Sequence, residues 1–167
     1  MRMKRIAAST AVLIAAVSAS VMTSTGSAWA DGGHTWRNAS TGRCLDSNAN
    51  GDVYTLDCNG GDYQIWDEYQ LYGTDGGPTG LWELKDHATG RCLIVRATQS
   101  MYAHTSACTT DDTWAYMWSE NQPGDINDIP TSYQLQSEET GHVLDSNANG
   151  NVYALPSYNQ DWYQHWL

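Results

Sequence analysis

The chain of 167 residues contains no phenylalanine, and only eight lysines and arginines stand against 19 aspartates and glutamates. Three of the basic residues lie in the first 30 positions and every acidic one lies after them, so residues 31–167 carry a net charge of −14. Such a surface repels phosphate backbones and anionic lipids, which disfavours nucleic acid as a partner. After residue 30 no apolar run approaches the roughly 20 residues of a membrane helix, and we expect no membrane insertion.

The first 30 residues have the pattern of an exported leader. A basic start, MRMKR, precedes a run of small apolar residues, Ile6–Val21, and a small-x-small site, Ala28–Ala30. This pattern predicts a secretory signal peptide over residues 1–30 and a secreted, extracellular domain over residues 31–167. A chain of that length fits one domain. We expect a monomer, although nothing in the sequence fixes the oligomeric state.

Four cysteines remain in the exported part, and an even number in that compartment predicts two disulfides. Four cysteines allow three pairings. Their spacing is not C-x-x-C, so we predict neither a metal site nor a cofactor. The four positions are Cys44, Cys58, Cys92 and Cys108.

The same unit is written three times. TGRCLD from Thr41 returns as TGRCLI from Thr89 and as TGHVLD from Thr140. Short segments of alternating polarity, separated by Gly, Asn and Asp, predict strands and turns rather than helices. We define unit one as about 34–71, unit two as about 81–121 and unit three as about 131–167, joined by loops at 72–80 and 122–131. A repeated unit of this length buries its apolar face against its copies.

The repeat also selects a cysteine pairing. Two cysteines lie in unit one and two in unit two, whereas unit three has Val143 and Ser157 at both equivalent positions. A pair that is lost together implies a bonded pair, which predicts the disulfides Cys44–Cys58 and Cys92–Cys108. Each closes a loop of about 15 residues and stabilises the fold by about 3 kcal/mol.

The three units, with C-L-D near the start and Q-x-W at the end, resemble the ricin B-type lectin family over residues 36–167. The resemblance implies an all-β β-trefoil with pseudo-threefold symmetry and a carbohydrate-binding function. Unit two departs from Q-x-W with Tyr116 in place of the glutamine. In that family the Q-x-W side chains belong mainly to the core, which implies a structural role for Gln64, Trp66, Trp118, Gln164 and Trp166.

The string LDSNANG, at residues 45–51 and 144–150, continues as x-VY-x-L and resembles the actinohivin-like lectins of actinomycetes. This narrower resemblance implies binding of α1,2-linked mannose on high-mannose glycans. A carboxylate and an asparagine would bind sugar hydroxyls, while tyrosine and leucine would cover the C–H faces. The implied pocket residues are Asp46, Tyr54, Leu56, Asn59 and Tyr63 in unit one, and Asp145, Tyr153, Leu155, Asn159 and Tyr163 in unit three.

Unit two has a different residue at each of these five positions, and we expect it to fold without binding sugar. The asparagine of unit three is assigned across an inserted Tyr158. At the positions of the five pocket residues, unit two has Ile94, His104, Ser106, Thr109 and Ala115.

Three alternatives stay open. LDSNANG begins like the calcium loop D-x-N-x-N-G, but position 12 of that loop is Asp57 in one copy and Pro156 in the other, where a glutamate is required. The same fold could serve as a carbohydrate-binding module for xylan or galactosides, or as a protein-binding trefoil such as a protease inhibitor, with its specificity in residues 122–131. No catalytic motif is present, and we expect no enzymatic activity.

Overall fold

The structure, a computed structural model, describes residues 30–109, 113–122, 132–158 and 161–167. The predicted leader apart from Ala30, the loop predicted at 122–131 apart from Gln122, and the predicted pocket residue Asn159 lie outside these ranges. No helix of the described part is long and apolar enough to cross a membrane.

Short strands of mostly four or five residues make up the described chain, as its alternating polarity and frequent turn residues predict. They are β1 (Ala30–His34), β2 (Cys44–Ser47), β3 (Val53–Leu56), β4 (Trp66–Tyr72), β5 (Pro78–Asp86), β6 (Cys92–Val95), β7 (Ala103–Ser106), β8 (Met117–Asn121), β9 (Gln134–Ser137), β10 (Val143–Ser146) and β11 (Val152–Leu155). Short 3-10 helices lie at Asp62–Gln64, Ala97–Gln99, Thr113–Tyr116 and Trp162–Gln164. The predicted all-β class is confirmed.

Each unit contributes one antiparallel hairpin with four paired positions: β2–β3, β6–β7 and β10–β11. The remaining pairings run in the order β1, β4, β5, β8, β9, β10, with β6 also paired to β5. The last strand of each of the first two units therefore pairs with the first described strand of the next or, for unit three, with β9. A separate bridge joins Tyr133 to Trp166, at the start and end of unit three. The units are therefore joined by strand pairing as well as by packing.

One hydrogen bond repeats in all three units and joins the end of a unit to its own hairpin. The Q-x-W tryptophan is fully buried in each unit, and its indole Nε1 donates to the carbonyl of the leucine that begins C-L-D or its equivalent. A buried indole N–H needs such a partner. The bonds run from Trp66 to Leu45 (3.1 Å), from Trp118 to Leu93 (3.0 Å) and from Trp166 to Leu144 (3.0 Å).

These tryptophans and leucines belong to one continuous core to which every unit contributes. The core also includes Trp36, Leu84 and Leu135, which are at most 2% exposed. The buried aromatic side chains of this core are all tryptophans, in a chain without phenylalanine. Burying such large side chains is the main favourable contribution to folding.

The predicted disulfides Cys44–Cys58 and Cys92–Cys108 are both confirmed. The prediction of a loop at residues 72–80 is wrong in part. The backbone N–H of Gly73 donates to the Gly77 carbonyl (2.8 Å) and closes a tight turn, after which Pro78 already begins β5. Strand pairing across units extends into the connector because β4 and β5 form one long hairpin.

Candidate functional site

The hairpins place the predicted acid and tyrosine of each sugar pocket directly opposite one another. Asp46 on β2 pairs with Tyr54 on β3, and Asp145 on β10 pairs with Tyr153 on β11. Directly opposed residues of an antiparallel pair extend to the same face of the sheet. The structure therefore brings together the two residue types on which the sequence prediction mainly rests.

The carboxylate of unit one is buried and hydrogen-bonded. Asp46 is 4% exposed, and Nε2 of Gln64 donates to its Oδ2 at 2.7 Å. Burial raises the pKa of Asp46, while hydrogen bonds from Gln64 and Tyr54 act in the opposite direction. The Tyr54 hydroxyl has one proton, which it can donate to Asp46 or to the Ser47 carbonyl oxygen 3.0 Å away, and either bond holds the ring beside the carboxylate.

Gln64, predicted as a core residue, also builds the pocket. Besides Asp46 it contacts the loop that carries the predicted asparagine: its Oε1 accepts from the backbone N–H of Asn59 (2.8 Å), and its Nε2 donates to the Asp57 carbonyl (3.1 Å). The side chain is fully buried, so these bonds are shielded from water. One glutamine thus connects the acid of β2 to the loop after β3.

Unit three repeats this arrangement with one difference. Gln164 donates to the Pro156 carbonyl (3.0 Å), but its Oε1 accepts from the backbone N–H of Tyr158 (2.8 Å). Tyr158 therefore occupies the place that Asn59 has in unit one. The sequence prediction gave that place to Asn159, which lies outside the described residues.

The leucine and the second tyrosine of each predicted pocket lie on the hairpin of the buried carboxylate and on the 3-10 helix packed against it. Leu56 is 47% exposed, Tyr63 38% and Leu155 39%, while Tyr163 is partly buried. An open cleft of about 520 Å³ borders this hairpin without including Asp46 in its lining, which consists of Arg43, Thr55, Leu56, Asp57, Asn59 and Asn149. Polar side chains beside exposed apolar ones can bind a neutral polyol by its hydroxyls and its C–H face together.

Asp145 is more strongly perturbed than an ordinary carboxyl group. It is 2% exposed, and burial, with the nearby charge of Asp161, raises its pKa to about 6. Hydrogen bonds from Gln164 and Tyr153 act in the opposite direction. Burial is also the main cause that raises the pKa of the Tyr153 hydroxyl, with the charge of Asp145 next. Strongly perturbed ionisable groups are candidates for functional sites.

In unit two, apolar and aromatic side chains occupy the place of the carboxylate and its glutamine partner. Ile94, Ala115 and Tyr116 form a small buried cluster against the disulfide of that unit. Tyr116 takes the position of Gln64, and its hydroxyl lies 3.2 Å from the Thr109 hydroxyl oxygen. Burial lowers the pKa of His104, the equivalent of Tyr54. Ser106 is partly exposed where unit one has Leu56.

The turn within LDSNANG is closed by its first asparagine. Oδ1 of Asn48 accepts from the backbone N–H groups of Asn50 (2.9 Å) and Asp52 (3.1 Å), and Asn147 does the same in unit three. Asp46 meanwhile faces Gln64. A calcium loop needs these oxygens to converge on one point. Here they face different partners, which does not favour the calcium alternative.

The end of the turn also joins neighbouring units, a role that the sequence analysis missed. The Gly51 carbonyl accepts from the N–H of Thr105 in unit two, and the Gly150 carbonyl accepts from the N–H of Thr55 in unit one (both 2.8 Å). Both glycines have positive φ, and a Cβ atom at either would lie 2.7 Å from a neighbouring carbonyl oxygen. In the sequence, the glycine that ends both copies of LDSNANG was the sign that no side chain is tolerated there.

No family model matches the chain. Among solved structures it is similar to the designed threefold-symmetric protein ThreeFoil, with a TM-score of 0.65 and 23% identity over 81% of this chain and 96% of that one. The BEL β-trefoil is similar with a TM-score of 0.65 and 19% identity over 83% and 92%.

A third similar structure is an endo-β-galactosidase from Clostridium perfringens that releases GlcNAcα1-4Gal, with a TM-score of 0.65 and 19% identity. The match covers 81% of this chain but only 31% of the galactosidase chain. Similarity at such low identity establishes the fold alone, and with the three equivalent hairpins it shows that this chain folds as a β-trefoil.

Proposed function

We propose that the protein is a secreted, non-catalytic lectin that binds α1,2-linked mannose at the ends of high-mannose glycans through its unit-one and unit-three pockets. The observation that carries this proposal is a buried carboxylate paired across its hairpin with a tyrosine, with a leucine and a second tyrosine on the adjoining elements. This arrangement is present in units one and three and absent from unit two. The two disulfides agree with the extracellular location implied by the leader.

Unit two serves as an internal control on whether the fold needs the carboxylate. Asp46 and Gln64 are hydrogen-bonded to one another, so a change of one side chain calls for a change of the other. Packing alone therefore explains why both differ in unit two. That same replacement, by Ile94 and Tyr116, leaves the hairpin pairing unchanged. A trefoil unit therefore forms without a buried acid. Keeping two buried acids at a cost in stability supports a role in binding.

The pocket chemistry suits a neutral pyranose. The Asp46 carboxylate accepts from two neighbouring hydroxyls, the Tyr54 hydroxyl contacts a third, and Leu56 and Tyr63 cover the C–H face. Asp145, Tyr153, Leu155 and Tyr163 do the same in unit three. Single sugars bind such open sites weakly. Two sites on one molecule raise the affinity for branched glycans, because the second contact is intramolecular.

The neighbouring carboxylates support binding without catalysis. A glycosidase of the usual kind needs two carboxyl groups flanking the scissile bond. Asp86, which lies near Asp46, is fully buried and accepts from Ser47 Oγ (2.8 Å) and Thr89 Oγ1 (2.7 Å). Asp161, near Asp145, accepts from the Tyr163 backbone N–H (3.1 Å). Both have structural bonding partners. The similar galactosidase structure acts on carbohydrate, which agrees with a carbohydrate ligand here.

A calorimetric titration with α1,2-linked mannobiose tests the proposal. The wild-type chain should bind two equivalents, and Asp46→Asn and Asp145→Asn should each bind one. Binding with unchanged stoichiometry in both variants would refute the site assignment. Saturable binding of xylan or a galactoside, with mannobiose inactive, would favour a module for another polysaccharide, and no carbohydrate binding at all would favour a protein-binding trefoil.

A further inference from the structure

The unit-one and unit-three pockets share nearly the same sequence from LDSNANG onward, but they do not share the same rim. We propose that the unit-three pocket is an extended subsite that stacks a second sugar ring on Tyr102 and Tyr158, whereas the unit-one pocket holds a single terminal ring between amide side chains. The inference rests on the proposed function and specifies the ligand of each site.

The first difference comes from the neighbouring unit. Each hairpin forms a bridge to the turn of the preceding unit around the axis. Tyr54 of the first pocket bridges to Asn151 of unit three, whereas Tyr153 of the other pocket bridges to Tyr102 of unit two. The Tyr102 and Tyr153 rings meet edge to face, with centroids 6.2 Å apart at 83°. An amide beside one pocket is thus replaced by an aromatic ring beside the other.

The second difference lies in the loop after the hairpin. Gln64 holds the backbone N–H of Asn59, and Gln164 holds that of Tyr158 in the equivalent way. Here again unit one has an amide where unit three has a phenol. Two asparagines on the segments that border one pocket therefore correspond to two tyrosines on the segments that border the other.

Both tyrosines keep most of their surface free. Tyr102 is 55% exposed and Tyr158 is 59% exposed, so neither contributes to the core. Exposed aromatic faces beside a polar pocket can pack against the C–H face of a pyranose. An edge-to-face contact with Tyr153 covers at most one face of the Tyr102 ring and leaves the other for such stacking.

The backbone before Tyr102 holds the ring in this position. Ser100 and Met101 both have left-handed φ values, +56° and +62°, where the other two units end their turns on glycine. Side-chain-bearing residues adopt this conformation at a cost, which the surrounding structure must enforce. The Met101 carbonyl accepts from the N–H of Ala154 in unit three (2.9 Å) and fixes the turn against that pocket. Tyr102 is therefore presented to unit three by a locked turn.

Single-site variants separate the two pockets. Asp46→Asn leaves only the unit-three pocket, and Asp145→Asn leaves only the unit-one pocket. For each we would titrate methyl α-mannoside and α1,2-linked mannobiose by calorimetry and take the ratio of the two affinities. We expect the preference for the disaccharide to be about tenfold greater in the unit-three pocket, as the additional ring gains stacking contacts only there.

Adding Tyr102→Asn to the Asp46→Asn variant should lower this preference to that of the unit-one pocket, with little change for the monosaccharide. Tyr72→Asn, at a comparably exposed tyrosine on β4 outside the pocket residues, is the matched control and should change neither affinity. Equal preferences in the two single-site variants, or an unchanged preference after Tyr102→Asn, would overturn the inference while leaving the lectin proposal intact. Absence of sugar binding in the wild type would overturn both.

Discussion

Replacing Asp145 with asparagine removes the charge of the unit-three pocket and keeps its shape. Burial raises the pKa of Asp145 from its ordinary 3.8 to about 6, so the folded chain binds this proton more tightly than the unfolded chain. The free energy of unfolding of the wild type therefore falls as pH rises from below 3.8 to above 6. The difference between the two pKa values corresponds to about 3 kcal/mol of unfolding free energy. Of this, about 2 kcal/mol or more is lost between pH 4 and pH 7.5.

Asparagine resembles the protonated carboxyl group and does not titrate. We therefore expect Asp145→Asn to gain stability relative to the wild type by about 2 kcal/mol on going from pH 4 to pH 7.5. Urea unfolding followed by tryptophan fluorescence measures both chains at both pH values, and the comparison cancels carboxylates that the two chains share. Sugar binding at this pocket should be lost in the variant at either pH.

The exposed Asp57 provides a control, since Asp57→Asn changes the same functional groups outside the buried site. Its stability relative to the wild type should be nearly the same at the two pH values. If the difference in unfolding free energy between Asp145→Asn and the wild type were also the same at both pH values, burying the Asp145 carboxylate would not cost stability. The burial of this acid would then give no support to a role in binding.

Further predictions concern the scaffold around the pockets. Gly150→Ala should destabilise the fold by about 2 kcal/mol or more, since a Cβ atom would lie 2.7 Å from a carbonyl oxygen. Gly76 has a similar φ but open space around it, and Gly76→Ala should cost only about 1 kcal/mol. Urea unfolding measures both variants. Gln64→Leu leaves a buried carboxylate and a backbone N–H without their partner, and should cost about 2–4 kcal/mol by the same assay. Replacing Cys44 and Cys58 by alanine should cost about 3 kcal/mol, measured by thermal unfolding. For Gly150→Ala, Gln64→Leu and the double cysteine variant, a loss of unfolding free energy below about 1 kcal/mol would contradict the stabilising role given to that residue.

Repetition made much of the fold predictable from the sequence. Three copies of a short motif at regular spacing indicated three equivalent units, and the joint absence of both cysteines from unit three selected the pairing of the other four. The opposition of Asp46 and Tyr54 also follows from sequence, because the SNANG segment between them closes a hairpin whose register sets them across from each other.

Contacts between units could not be read from the motif itself. Tyr102 lies in unit two but borders the unit-three pocket, and nothing within either copy of LDSNANG indicates this neighbour. The burial of Asp145 likewise depends on how its hairpin packs against the helix at Trp162–Gln164. The connector at residues 72–80 carries the residues of a loop, yet pairing with β4 extends β5 back to Pro78.

A glycan array probed with the wild-type chain and with the Asp46→Asn/Asp145→Asn double variant, each with and without EDTA, tests the central claim most directly. We predict binding to glycans that end in α1,2-linked mannose, unaffected by EDTA, and no binding by the double variant in its folded state. Undiminished binding by the folded double variant, or binding that EDTA abolishes, would contradict a sugar site built on these two carboxylates.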